Sequence, residues 1–174
     1  MLFLFERIKN NEEDLASLFK LKSEPNDIYW SGYTSHPNIL DFENWYQEQL
    51  VRSDRKIWLV KSSENPFEVM GYLYLTFVKE PDKIIGLVSH GVEKKLAGRG
   101  LGTAIVNFVV NIFINGFIPA NEIHSWVTQE NIASARTFTK NGFIKSGLSK
   151  EEFYKSMNKS VKLENYFFER NSQH

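Results

Sequence analysis

The chain contains no cysteine. That absence removes disulfide staples, thiolate metal sites and a cysteine nucleophile together, and it agrees with a cytoplasmic setting. Net charge is missing as well: 21 Lys and Arg offset 21 Asp and Glu. The molecule therefore presents no overall field to draw in nucleic acid or an anionic membrane, and neither is expected as a partner. There is no long hydrophobic run. The most apolar segment, "AIVNFVVNIFINGFI", is shorter than a bilayer span. Asn107, Asn111 and Asn115 recur through it, drawing one polar stripe along a helix. The opening "MLFLFERIKN" has an apolar run too short for a secretory signal and no basic residue before it; a first strand is expected there.

What is present is ordinary for a globular protein. The 174 residues, 42% hydrophobic and 24% charged, are long enough for a substantial core and are read as a single domain over 1–174. Along the chain, "NNEEDLASLFKLK" has apolar residues at helical spacing. "SEPNDIYWSGYTSHPN" reads as a loop rich in rings. Asp41 is expected to cap a helix through "FENWYQEQLVR". "RKIWLVKSS", "FEVMGYLYLTFV" and "KIIGLVSHGV" read as strands separated by turns. A helix from about Thr103 to Asn115 follows, with Gly116 past its end. "EIHSWVTQ" reads as a strand, "NIASARTFTKN" as a short helix, and "SVKLENYFFER" as a last strand. The class is α+β with a mostly antiparallel sheet flanked by helices.

The densest punctuation is "KKLAGRGLGTAIVNFVV", with Gly98, Gly100 and Gly102 alternating before an apolar helix. It is not a P-loop, because Thr103 follows the last glycine where lysine is required. Nor is it the dinucleotide fingerprint, whose sixth place is Thr103 rather than glycine. The physical principle survives both failures: a turn bare of side chains lets backbone N–H groups converge on an anion, and the helix adds its positive end. Arg99 adds a charge. A glycine turn that merely reverses the chain is the alternative.

A second segment lies about thirty residues on. "NIASARTFTKNGF" combines an Asn at a strand end, a short helix and Asn141-Gly142-Phe143 beyond it. Together the two segments resemble the acetyl-CoA-binding core of the GCN5-related N-acetyltransferase (GNAT) superfamily, nearest to its branch that acetylates ribosomal proteins and small molecules. The family's loop reads Gln/Arg-x-x-Gly-x-Gly/Ala; here it is Ala97-Gly98-Arg99-Gly100-Leu101-Gly102. Its later motif gives Asn131, Ser134, Phe138, Lys140, Gly142 and Phe143. The likeness covers roughly residues 66–148.

The resemblance implies acetyl-CoA as cosubstrate, with no metal. Backbone N–H groups of Ala97, Gly98, Arg99, Gly100, Leu101, Gly102 and Thr103 would cradle its pyrophosphate. Val92, at a strand end that bulges in the family, would present its backbone to the pantetheine arm. Asn131 would bind that arm from the other side, whether or not it also caps its helix, and the two strands must splay apart around it. Ala97 stands where the family prefers Gln or Arg, so one side-chain contact is missing. Phe138 stands where many members carry a tyrosine that protonates the thiolate. Ser134, Tyr154 or a water can substitute, and a thiol is a tolerable leaving group without help.

The incoming amine must be neutral, so a proton has to leave it. His90 is the residue on the strand before the glycine turn whose ordinary pKa lies near neutrality, which makes it the candidate base; Glu93 and Asp82 are further candidates. The acceptor is expected among "DIYWSGYTSHPNILDFENWYQEQ", with Trp30 and Tyr33 as candidate contacts and Trp45 and Tyr46 read as core. Rings beside carboxylates suit a cationic or sugar acceptor. The expected reaction is acetyl transfer to the primary amine of a small molecule such as an amino sugar, polyamine or aminoglycoside. A protein N-terminus as acceptor, a longer acyl group, and a catalytically silent coenzyme A-binding module are the alternatives. A homodimer, common in the family, is left open.

Overall fold

The computed structural model describes residues 2–170. Seven strands form one sheet in the order β1-β2-β3-β4-β5-β7-β6. In chain order these are β1 (Phe3–Arg7), β2 (Arg55–Ser62), β3 (Val69–Lys79), β4 (Ile84–Val92), β5 (Glu122–Thr128), β6 (Ile144–Tyr154) and β7 (Lys159–Glu169). Every neighbouring pair is antiparallel except β4 and β5, which run parallel. The parallel pair needs a crossover, and α4 (Leu101–Ile114) supplies it. The other helices are α1 (Glu12–Lys22), α2 (Pro25–Trp30), α3 (Ile39–Val51) and α5 (Ile132–Lys140).

Alternation along β2 explains why its run Ile57-Trp58-Leu59-Val60 is apolar at every position: both faces are covered. Trp58 and Val60 join a core with Leu73, Leu75, Ile105, Val109 and Phe113 beneath α4. Ile57 and Leu59 join Tyr72 in a second core under α1 and α3, built with Leu18, Leu21, Phe42 and Tyr46. The Asn107, Asn111 and Asn115 stripe lies on the solvent side of α4, where Asn111 Nδ2 donates to Asn107 Oδ1 at 3.0 Å.

Four local expectations change. Residues 25–30 are not loop but the short helix α2, with Pro25 in its first turn, where a missing N–H costs nothing; six residues are too few to show a period. Asn38, not Asp41, caps α3: its side chain accepts from the N–H groups of Leu40 and Asp41. Strand β6 had no signature, because it is an edge strand with charged residues on its exposed length and a register shift between Lys145 and Ser149. Finally, β4 does not bulge; its register against β3 is continuous from Ile84 to Val92. The irregularity lies between β2 and β3, where Val60 faces Gly71 and Lys61 faces Val69.

The cap assignment is testable by denaturant unfolding. Asn38→Ala is expected to cost about 1 kcal/mol, and Asp41→Ala distinctly less. Equal losses would return the cap to Asp41.

Candidate active site

The site begins where β4 and β5 part. They pair only from Ile85 to Leu87 against Glu122 to His124. At the vertex the Ser125 hydroxyl donates to the Val88 carbonyl at 3.0 Å, replacing the next rung of the ladder. Beyond it β4 pairs only with β3, and β5 only with β7. Backbone groups of β4 that aim toward β5 past this point face an open groove instead of a strand.

The glycine turn closes one end of that groove. Gly98 (φ 77°) and Gly100 (φ 86°) both adopt the left-handed conformation that favours glycine, with nothing within 4 Å of where a Cβ would be. Gly100 is the N-cap of α4 and offers no side-chain cap, so the N–H groups of the first helical turn remain available to an anion. Two of the seven amides expected to face the diphosphate have partners inside the turn. The Ala97 N–H donates to the Lys94 carbonyl and the Arg99 N–H to the Leu96 carbonyl, each within the turn. Among the described residues no such bond occupies the N–H groups of Gly98, Gly100, Leu101, Gly102 and Thr103.

The groove between turn and fork has a volume of roughly 550 Å³ and is lined by Val92, Asn131, Ser134, Phe138 and Tyr154 among others. Asn131 caps α5, its Oδ1 accepting from the Ser134 N–H at 3.1 Å. Its Nδ2 is not needed for that cap. These features fit coenzyme A: a cradle of free amides for the diphosphate, then a slot lined by unpaired strand edges for an amide-bearing arm.

His90 also lines the groove, on the face of β4 turned toward α4 and α5. Its ring meets Phe138 edge-on at 5.6 Å between centroids. Burial depresses its pKa to about 4, against a smaller upward pull from Asp27. At neutral pH it carries no proton to give and little basicity to take one.

Sequence reasoning missed a polar cluster on the opposite face. Lys22 Nζ lies 2.6 Å from Asp27 Oδ1 and 3.0 Å from the Tyr72 hydroxyl, and that hydroxyl donates to Asp27 Oδ2 at 2.5 Å. Burial first, and then the Asp27 charge, raises the Tyr72 pKa well above its ordinary value. The cluster presses on β4 at Gly91, where a Cβ would collide with the Tyr72 ring and Asp27. Residues 22, 27 and 72 are far apart in sequence, and no spacing announced them.

A second cavity, roughly 840 Å³, opens on this same face under α3. Tyr33, Trp45, Tyr74, Trp126 and His36 give it rings; Lys22, Arg55, Lys155 and Asp41 give it charge. It shares Val88, Ser89 and Trp126 with the groove, so the two meet at the fork. Of the expected acceptor contacts, Tyr33 lines this cavity, whereas Trp30 lines the groove. Trp45, read as core, lines the cavity too. Tyr46 is fully buried core, its hydroxyl donating to the Lys9 carbonyl.

The model of the acetyltransferase (GNAT) family matches residues 18–143. The chain belongs to the GNAT acetyltransferase family. GNAT proteins are acetyl-CoA-dependent acyltransferases. The fold agrees with solved members at low identity. A spermidine N-acetyltransferase from Vibrio cholerae in complex with CoA and spermine has a TM-score of 0.80 at 13% identity, with 97% of this chain and 95% of that one covered. A ribosomal-protein-S5-alanine acetyltransferase from Vibrio fischeri has a TM-score of 0.80 at 16% identity, covering 99% and 95%. The aminoglycoside acetyltransferase AAC(6')-Ib in complex with coenzyme A has a TM-score of 0.74 at 17% identity, covering 97% and 95%. A search of curated protein sequences found no match. No helix among the described residues is long and apolar enough to cross a membrane.

Two predictions follow from this geometry. Gly102→Val puts a branch at the groove edge, where a Cβ already comes within 3.2 Å of His90 Nε2. Gly100→Val strains a left-handed position by about 1–2 kcal/mol. Each is expected to weaken coenzyme A binding, followed by calorimetry, by about tenfold or more as charge-assisted contacts are lost; normal binding by a folded Gly102→Val protein contradicts the cradle. His90 makes stability pH-dependent. The unfolded chain takes up this proton near 6.5 and the native protein only near 4. The native state therefore loses stability as pH falls through that window. Urea titrations at successive pH values are expected to show a shallower acid loss in His90→Gln than in the parent.

Proposed function

We propose that this GNAT protein transfers the acetyl group of acetyl-CoA to the primary amine of a small molecule. One observation carries the reading: the groove runs from the glycine turn through the fork to Asp27, Trp30 and Tyr72, and it meets the ring-lined cavity at Val88, Ser89 and Trp126, where β4 and β5 part. A cosubstrate arm lying along the groove and an amine held in the cavity would meet there.

Acetyl-CoA supplies the acyl group activated as a thioester. The amides of Gly98, Gly100, Leu101, Gly102 and Thr103 hold the diphosphate, the positive end of α4 adding to their pull. The backbone of Val92 and the Nδ2 of Asn131 grip the arm from its two sides. Donors fixed before reaction cost no reorganisation when negative charge develops on the carbonyl oxygen, and removing one such donor typically costs about 2.7–4 kcal/mol. The amine's nitrogen forms the new bond to the acyl carbon as the carbon–sulfur bond breaks. One proton leaves the nitrogen and one reaches the sulfur.

We assign His90 the role of a neutral groove wall instead of the base expected from sequence, since a group with a pKa of about 4 holds a proton poorly at neutral pH. The amine then sheds its proton to water in the cavity. The Lys22–Asp27–Tyr72 cluster, beside Gly91, fixes the electrostatics at that point. Phe138 cannot donate a proton to sulfur. Tyr154, whose ring packs on Gly32 and lines the groove, is the phenol we assign to that step.

The reading is tested by following free thiol with acetyl-CoA and a panel of amino sugars, polyamines, aminoglycosides and N-terminal peptides. Turnover of a small amine is expected. Turnover of peptides alone would make the acceptor a protein, and coenzyme A binding without any turnover would leave a silent binding module. The rate is expected to climb with pH toward the acceptor's own pKa without an inflection near 6.5 that His90→Gln removes. Tyr154→Phe is expected to lower kcat by about tenfold or more, with the KM for acetyl-CoA little changed.

A further inference from the structure

The cavity that opens on the fork carries a cation without a counter-ion. Arg55, half-buried at the start of β2, donates from Nε to the Thr76 hydroxyl at 2.9 Å and from Nη1 to Gln49 Oε1 at 3.1 Å. Both partners are neutral. Its neighbour Arg52 also reaches Gln49 Oε1, at 3.4 Å, but has the Asp54 carboxylate in a two-point grip at 2.9 and 2.7 Å. So two guanidinium groups share one buried amide oxygen, and a single carboxylate serves the pair. Among the described residues no carboxylate lies within ion-pair distance of Arg55. Withdrawing a charge from water without an opposite charge is unfavourable.

The rest of the cavity leans the same way. Lys155 contributes a second cation to the lining. Lys22 is neutralised by Asp27, and Asp41 is the cavity's own carboxylate. The Tyr74 hydroxyl is buried beside Arg55, whose guanidinium carbon lies 5.9 Å from the Tyr74 ring centroid, and has no hydrogen-bond partner among the described residues.

The geometry points to an anion subsite at Arg55, so that the acceptor is an amine that also carries a carboxylate or phosphate at its other end. This rests on the acetyl-transfer reading and names the substrate class for it. Strand register sets the span. Arg55 faces Thr76, Thr76 faces Leu87, and Ser89 at the fork lies two residues further along β4. Two strand spacings and two residues of rise separate the Arg55 and Ser89 Cα atoms by about 12 Å. The arginine side chain bridges part of that distance, which leaves amine and anion separated by several bonds. An α-amino acid is too short. An amino sugar phosphate or an ω-amino acid fits.

The test uses matched pairs: glucosamine 6-phosphate against glucosamine, and 5-aminopentanoate against pentylamine. Both turnover and binding are measured, the latter by calorimetry with coenzyme A present. In the parent protein the anionic member of at least one pair is expected to have a kcat/KM about tenfold or more above its neutral partner, as a charge-assisted hydrogen bond supplies. Which pair shows the larger ratio tells phosphate from carboxylate. The ratio is expected to shrink with added salt, to fall toward one in Arg55→Gln, and to be partly kept in Arg55→Lys, with each variant's fold checked by circular dichroism. Ratios near one in the parent for both pairs overturn the subsite, and so does an Arg55→Gln protein, folded, that keeps the parent ratio. If no amine is turned over but the anionic probes bind and Arg55→Gln abolishes that binding, the subsite stands and the transferase reading falls. If neither anionic probe binds, the subsite falls.

Discussion

Adjacent strands exchange hydrogen bonds only while they lie about 4.8 Å apart, and β4 and β5 leave that spacing after three residue pairs. The groove and its junction with the ring-lined cavity both depend on that parting. A sheet with its ladder complete would have no unpaired edge in its middle, and the two faces would be sealed from one another by side chains. The opening is held by neighbours, since β4 stays fully registered with β3 and β5 with β7. Ser125 ends the ladder by giving its hydroxyl to the Val88 carbonyl. The cost of leaving backbone groups unmatched is therefore confined to the slot itself.

The two faces that meet at the slot have opposite characters. On the α4 side the features are backbone amides, a helix N-terminus and small residues, a surface suited to phosphate and to close approach. On the α1 and α3 side they are rings and charged side chains drawn from separate stretches of the chain, among them Lys22, Tyr33, Trp45, Arg55, Tyr74 and Trp126. His90 and Tyr72 show how strictly alternation sorts them: facing residues on adjacent strands share a face, and Leu73, not Tyr72, is opposite His90. The histidine is thereby turned away from the ring-lined cavity and toward Phe138, where burial suppresses its charge.

The glycine turn was legible because its shape resides in the backbone. Positive φ and an uncapped helix start require glycine at fixed spacing, and such requirements are written locally. The same holds for Asn131, whose capping role follows from its place at a helix start. The unreadable parts were of two kinds. Helix α2 and strand β6 are short or solvent-exposed and leave no apolar period. The continuous register of β4, with the bulge displaced to β2 and β3, depends on how several strands settle together.

The sequence alone determined the family, the glycine turn and the order of the elements around it, because each is encoded by neighbours along the chain. Tertiary structure decided which face His90 occupies, that Lys22, Asp27 and Tyr72 form one buried cluster, and that Arg55 stands in the ring-lined cavity without an ion-pair partner among the described residues. Those relations join residues dozens of positions apart. Burial and proximity, which set their protonation and their attraction for a ligand, exist only once the sheet has brought them together.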